Sequence, residues 1–285
     1  MSTIIGLLIV FGCVLGGFAM GGGPFAVLIQ PSELVVIVGA AAGALVISAP
    51  GKVGRRVLAA FKKGIKVESV SQQDYMDLLK LLYQLFQIVR REGLLALESH
   101  VNDIHGSPLF SKYPSVTARH HALQFLAEGL KQMVDGCTVE ELAQMFDAEL
   151  ETHHEEEHQP IAILRTTSDA LPGLGIVAAV LGIIITMAHL DGPPEEIGHH
   201  VAAALVGTFI GILLCYGVLS PIAASIEIQT EATARYLNVI KNGLLAAARG
   251  ANPAIAIELA RRAIFTDERP SAEELDKEFQ SLRNG

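Results

Sequence analysis

The sequence predicts an all-α fold: a polytopic membrane protein with four transmembrane helices and a helical cytoplasmic domain. Three observations carry that reading. No Lys or Arg occurs before Lys52, and Glu33 is the only acidic residue in that stretch. A second window, from Thr166 to Ala234, also lacks Lys and Arg while it holds two long apolar runs. No segment of useful length alternates apolar and polar residues with the period of a strand. A hydrocarbon core about 30 Å thick demands roughly 20 apolar residues per helical crossing, so the two windows hold the membrane segments. A hydrophobic fraction of 51% and a mean hydropathy of +0.42 would also suit a soluble helical protein, but uninterrupted apolar runs of this length would not.

The four spans fall at residues 3–20, 34–50, 171–190 and 200–221. The first could be taken for a cleaved signal peptide. No basic residue precedes it, however, and the Gly-rich MGGGP leads straight to a second apolar run, so a retained helix is expected. Lys52, Arg55, Arg56, Lys62, Lys63 and Lys66 crowd behind the second span, whereas the loops at residues 21–33 and 191–199 have no basic residue. By the positive-inside rule both termini and the middle segment are cytoplasmic. That basic cluster reads as a topology signal in contact with anionic lipid rather than as a nucleic-acid site.

The expected divisions are therefore residues 1–50, with the first two helices and a short periplasmic loop; 51–170, a cytoplasmic helical domain; 171–221, helices three and four; and 222–285, a cytoplasmic helical tail. From Val67 to Arg165 there are seven basic and sixteen acidic residues, a balance of −9 that implies an acidic, protein-facing segment. Within it Tyr75, Leu78, Leu79, Leu82, Leu85 and Phe86 recur at intervals of three and four, predicting a helix over about 71–91. A loop follows, with Gly106, Pro108 and Pro114. Further helices are expected over about 115–134 and 138–157, the latter capped by Thr138 with Glu141 three residues on. The tail continues helically from the fourth span to about Arg249, where GANP breaks it, and Pro270-Ser271 followed by Glu273 and Glu274 begins one more short helix.

Chemistry is notable mainly by its lack. Spans three and four contain no Asp, Glu, Lys or Arg, although ion paths through bilayers normally use an intramembrane ionisable group. If protons are conducted, the carrier carboxylate is expected on a partner helix, and a titrating acid within these four spans would overturn that. Small residues four apart, Gly12 and Gly16, Gly39 and Gly43, Ala178 and Gly182, Gly207 and Gly211, mark faces for close helix packing, and Gly175 belongs with them. Pro172 and Pro221 stand at the inner ends of spans three and four, as hinges or as helix-end punctuation. Thr186, Thr208 and Tyr216 are the obvious polar side chains of those spans; a membrane threonine usually bonds its own backbone, with a pore-lining role open for Thr208.

The run from His153 to His158 puts His154 and His158 one helical turn apart, but no further ligand cluster is evident and no metal is expected. His189, His199 and His200 read as interfacial residues. Cys13, Cys137 and Cys215 suggest neither a disulfide framework nor a metal pair. No nucleotide-binding loop or catalytic triad pattern appears, so no cofactor and no enzymatic activity are expected, and coupling to an ion gradient is the natural energy source.

The passages QPSELVVIVGA at 30–40, YMDLLKLLYQL at 75–85, LPGLGIVAAVLG at 171–182, VGTFIGILLCYG at 206–217 and ERPS at 268–271 resemble the MotA family of flagellar stator subunits, in the same order along nearly the whole chain. The resemblance implies a homopentamer around a dimer of a MotB-like partner, whose membrane helix carries the proton-binding Asp. It further implies an inner-membrane location, ion-driven rotation, and a cytoplasmic contact with the rotor protein FliG. Carried over by motif, Arg90 (beside Arg91) and Glu98 fall on the rotor-contact positions, and Pro172 and Pro221 on the family's two functional prolines. Sodium-driven relatives look to place a hydroxyl residue at the position of Ala179; an alanine offers no oxygen to a hard cation, so protons are the expected fuel, with Thr208 near the path. The rival expectation is a proton-channel energiser of the ExbB or TolQ kind, whose relatives have three spans.

Overall fold

The computed structural model describes residues 2–66, 69–104, 106–188, 191 and 193–284, so that His189 lies outside the described residues. In the first half the helices are α1 (Ser2–Met20), α2 (Phe25–Leu28), α3 (Pro31–Ser48), α4 (Lys52–Ile65), α5 (Gln72–Glu92), α6 (Glu98–Asn102) and α7 (Pro114–Thr117). They are followed by α8 (His120–Val134), α9 (Val139–Ala188), α10 (Pro194–Leu214), a π-helical turn at Cys215–Leu219, α11 (Ser220–Ala248), α12 (Pro253–Arg261) and α13 (Ala272–Asn284). Among the described residues there is no strand. Four stretches are long and apolar enough to cross a membrane: Thr3–Met20, Phe25–Ser48, and windows within Val139–Ala188 and Pro194–Ala248.

The chain divides into two compact units, Met1–Glu68 with Glu156–Thr230, and Ser69–Glu155 with Glu231–Gly285. The first contains the apolar spans. Its helix α3 packs on α10, and Ile37 and Ala41 of α3 meet Leu171 and Ala178 of α9 and Cys215 in one buried cluster. A second cluster joins Ala49 and Val57 to Ile161 and Leu164 of α9 and to Ile222, Ala223 and Ile226 of α11. Within it α4 is pinned on both faces: Gly64 approaches Ile226 so closely that a Cβ there would lie 2.5 Å from its Cγ1, while Arg56 and Lys63 pair with Glu156 and Glu157 at 2.9 and 3.4 Å. By contrast, none of the α1 span is buried, and Ile4, Leu8 and Ile9 are exposed. A helix apolar all round and left uncovered by its own chain is one made for lipid or for other subunits.

The second unit is a helical domain with its own core. Ser71 caps α5 reciprocally with Asp74, and the buried stripe from Tyr75 to Phe86 packs against Phe125 and Leu126 of α8, Phe146 of α9, Tyr236 and Ile240 of α11, Ile257 of α12 and Phe279 of α13. Arg119 reaches Asp74 at 3.1 Å, and Ser115 donates to Asp77 at 2.6 Å, fixing the α7–α8 corner on α5. Helix α11 ends where Gly250 takes φ +78°, with Ala251 N–H on the Ala246 carbonyl and Gly250 N–H on that of Ala247, the paired closure of a helix ending in glycine. Arg261 clasps Glu258 at 2.7 Å and the Pro270 carbonyl at 3.0 Å, and holds the Glu258 carboxyl below its usual range.

Several boundaries differ from the sequence expectation. The helix expected to stop near residue 157 instead runs unbroken to Ala188 through Pro160 and Pro172. Each proline removes one backbone donor, leaving the carbonyls of Glu156 and Ser168 without the partner four residues on. Between the two prolines Thr166 and Thr167 bond back to the carbonyls of Ala162 and Ile163 at 3.0 and 2.9 Å, a second donor on each rather than a replacement for one lost. The helix expected over 115–134 is broken at Ala118-Arg119 into α7 and α8, and the second apolar helix begins at Pro31, ahead of Glu33. Helices α4 and α12 were not expected from the pattern.

Candidate functional site

Close approach of α9 and α10 dominates the membrane-type unit, and glycine makes it possible. A Cβ on Gly211 would lie 2.6 Å from the Leu171 carbonyl oxygen and 3.0 Å from the Gly175 Cα. One on Gly175 would lie 2.9 Å from the Gly207 carbonyl oxygen and 3.3 Å from the Thr208 Cα, and one on Gly182 would meet the Ala204 Cβ at 2.9 Å. Gly175, Gly182, Gly207 and Gly211 thus line one seam, in which backbone meets backbone over two turns of each helix. No larger side chain fits there without displacing a helix.

At the Leu171–Gly211 end of the seam each helix carries its proline. Pro172 is half-buried inside α9, and Pro221 is exposed just after the π turn of Cys215–Leu219. The π turn is the local accommodation of Pro221: with the proline unable to donate, the preceding turn widens and Ser220 N–H reaches back five residues to the Cys215 carbonyl. Ser168, buried on α9 one turn before Pro172, donates to the same carbonyl at 3.3 Å and lies 2.9 Å from the Ser220 hydroxyl. Pro172 also leaves the Ser168 carbonyl without its ordinary helical donor. Sequence reasoning missed this hydroxyl cluster, although two serines each within four residues of a membrane proline are a readable signal.

Thr208 and Ala179 are both half-buried, Thr208 at the seam through its Cα. Thr186 is buried and donates to the Gly182 carbonyl at 2.8 Å, the back-bonding expected of a threonine in an apolar helix. Tyr216 is exposed. Spans three and four bring no Asp, Glu, Lys or Arg to the seam, yet a carboxylate stands against it from elsewhere. Glu33, in the first turn of α3, is buried, and a Cβ on Gly207 would lie 2.5 Å from its Oε2. The sequence signal for it was the lone acid in the first 51 residues; the reading treated it as a helix boundary.

In the second unit Arg90 and Arg91 occupy the exposed last turn of α5, and Glu98 is the exposed first residue of α6. Gly93, at φ +85°, makes the break between them, a conformation that disfavours any residue with a Cβ. Arg90 borders a groove with Phe86, Val89, Ala247, Gly250 and Ala251. The rings of His121 and His153 lie 4.4 Å apart, tilted by 36°, and Glu156 and Glu157 of that His-rich run are held in ion pairs with α4. Cys13, Cys137 and Cys215 are all free thiols.

Residues 4–93 match the family described as Motility protein A N-terminal, and residues 118–238 the MotA/TolQ/ExbB proton channel family. The chain is 36% identical to Motility protein A of Salmonella typhimurium over 285 residues, 100% of this chain and 97% of that protein. To Motility protein A of Bacillus subtilis it is 26% identical over 254 residues, 89% and 87% of the two chains. Among solved structures it is similar to the flagellar MotAB stator complex from Bacillus subtilis, at TM-score 0.78 and 25% identity over 94% of this chain and 98% of that one. The C. jejuni MotAB structure shares the fold at TM-score 0.80 and 23% identity, covering 93% of this chain and 96% of that one.

Proposed function

The chain belongs to the motility protein A family, and from that premise we propose that it is the membrane subunit of a flagellar stator, forming with a MotB-like partner a proton channel that converts proton-motive force into torque. The observation that carries the reading is the match along the whole chain, 36% identity over 285 residues with a motility protein. The match of residues 4–93 to a motility description favours this over an envelope energiser of the ExbB or TolQ kind.

Physical features support the parts. Moving one charge through 100 mV releases about 2.3 kcal/mol, and the carrier in this reading is the Asp of the partner helix, since spans three and four offer no acid of their own. The uncovered apolar faces of α1 and α9, among them Leu8, Ile184 and Met187, suit lipid, neighbouring copies in a homopentamer, and the partner helix. The basic residues of α4 belong on the cytoplasmic side of a bacterial inner membrane, which puts both termini there too. Ala179 at the sodium-ligand position favours protons, with Thr208 near the path and Pro172 and Pro221 as the moving parts at its inner mouth. Arg90 and Glu98 are the contacts to FliG, exposed and held on either side of the Gly93 break. The work is mechanical and needs no catalytic group, cofactor or nucleic acid.

The test is swimming of a stator-deficient bacterium expressing this chain with its native MotB-like partner in sodium-depleted medium. Motility should require both proteins and collapse with a protonophore; motility that persists on sodium alone would refute proton coupling. Reversing charge at Arg90→Glu or Glu98→Lys should abolish or sharply reduce torque while membrane levels stay unchanged, and normal swimming in both would remove the rotor assignment.

A further inference from the structure

Glu33 is only 6% exposed, and its Oε2 has no hydrogen-bond partner among the described residues. What surrounds it is an absence of side chains. A Cβ on Gly207 would stand 2.5 Å from Oε2 and 3.3 Å from the carboxyl carbon, and one on Gly182 would stand 3.4 Å from Oε1. The carboxyl therefore fills a notch cut by two glycines, one on each helix of the seam, with Ala178 and Ala204 as further walls. Ile37, one turn along α3, is fully buried behind it. None of the residues walling the notch bears a titratable or charged group, and no ion pair among the described residues includes Glu33; a titratable side chain on the same face of α10, His200, stands one turn before Ala204. Thr186 faces this region from α9, but its hydroxyl hydrogen is committed to the Gly182 carbonyl at 2.8 Å.

Gly182 lies six residues from the C-terminal end of α9, about 9 Å at 1.5 Å per residue, so the notch is inside the apolar stretch rather than at its rim. An ionised carboxylate here would be a buried charge with no partner, a costly arrangement that proteins avoid by neutralising the group. A side chain kept only for packing would be better served by Leu or Gln in the same space. An acid in this position is able to hold a proton and to release it when a proton acceptor or water enters the seam.

We propose that Glu33 is a proton-exchanging carboxyl contributed by this chain itself, a second proton station on the outer half of the channel, in addition to the acid on the partner helix. The inference rests on the stator reading above and leaves the carrier carboxylate on the partner helix. The proton moves as such: the O–H bond of the neutral carboxyl breaks, the proton passes to water or to the next acceptor, and the carboxylate is reprotonated from the outer side.

Two measurements test it on the complex with its partner. Glu33→Gln keeps the shape and cannot ionise. With the variant assembled to the wild-type level in proteoliposomes, proton flux read by an entrapped pH dye should fall by about tenfold or more, Glu33→Asp should recover part of it, and the dependence on outside pH should flatten. Flux and pH profile equal to wild type would overturn the proposal. The unmutated complex gives an independent reading with dicyclohexylcarbodiimide, which adds a protonated carboxyl across its C=N bond. Modification of Glu33, located by mass spectrometry, should fall as pH rises from mild acid to mild alkali, whereas absent or pH-independent modification would overturn the proposal. If the wild-type complex itself carries no proton flux, it is the stator reading that fails.

Discussion

Gly211→Ala puts a single methyl group where the seam is tightest. The added Cβ would lie 2.6 Å from the Leu171 carbonyl oxygen and 3.0 Å from the Gly175 Cα, both backbone atoms that no rotamer change can move aside. An ordinary carbon–oxygen contact needs roughly 3.4 Å, so α9 and α10 must separate by about 0.8 Å at this level. Overpacking a well-filled interior costs about 1–3 kcal/mol, against which the better helix propensity of Ala returns at most about 1 kcal/mol. The net expectation is a loss of about 1–2 kcal/mol, or roughly 2–8 °C in the unfolding midpoint of the purified complex at about 2–4 °C per kcal/mol. Gly39→Ala is the control, since nothing lies within 4 Å of a Cβ there, and its midpoint should stay put or rise. A Gly211→Ala protein as stable as wild type would refute the claim that the glycines set the distance between the helices.

Other consequences concern the second unit, with its own helical core. Ser71→Ala removes the acceptor for Asp74 N–H in the cap of α5 and should cost about 1 kcal/mol, measured as a lower midpoint in chemical unfolding. Tyr236→Phe deletes a buried hydroxyl that has no hydrogen-bond partner among the described residues while keeping the ring beneath the Arg119 guanidinium at 5.2 Å, so stability should be unchanged or slightly higher; a loss beyond about 1 kcal/mol would mean the hydroxyl is bonded in the protein. The hydrogen bonds from Arg261 and Arg262 lower the Glu258 carboxyl below its ordinary 4.5, so its stabilisation is present above that value and is lost as pH falls through the lowered one. Glu258→Gln should therefore unfold at a lower temperature than wild type at neutral pH, with the gap closing in acid; a gap that persists unchanged in acid would show that charge is not its source.

Features set by local chemistry were the ones open to sequence reasoning. The apolar spans announced themselves by missing Lys and Arg, and the cap at Thr138 by its acid three residues on; Ser71 and Ser271, which cap α5 and α13 in the same way, carried the same signal, unread as a cap. Where the chain makes long-range use of a residue, the pattern was silent. Nothing near Glu33 in sequence indicates that it fills a gap left by glycines about 150 and 174 positions away, and nothing near Ser168 points to the Cys215 carbonyl. Helix α4 was obscured by its charges, which mark topology first and helix second, and α12 by its shortness beside the GANP break. The unbroken course of α9 through two prolines defeats the rule that proline ends a helix: each removes a single backbone donor from a helix of 50 residues that is packed on its neighbours at both prolines.

The π turn at Cys215–Leu219 also keeps a count. An α-helix turns by about 100° per residue, so one residue gained or lost normally swings everything beyond it onto a different face. A π turn absorbs one residue more than an α turn in the same revolution. Ala204, Gly207 and Gly211 before it, and Ile222, Ala223 and Ile226 after it, therefore keep their buried positions with this extra residue stored between them. Deleting one residue within Cys215–Leu219 should remove the stored residue and leave both buried stripes in phase. The same deletion made one turn earlier, among Ile210 to Leu213, would throw the glycine seam out of register.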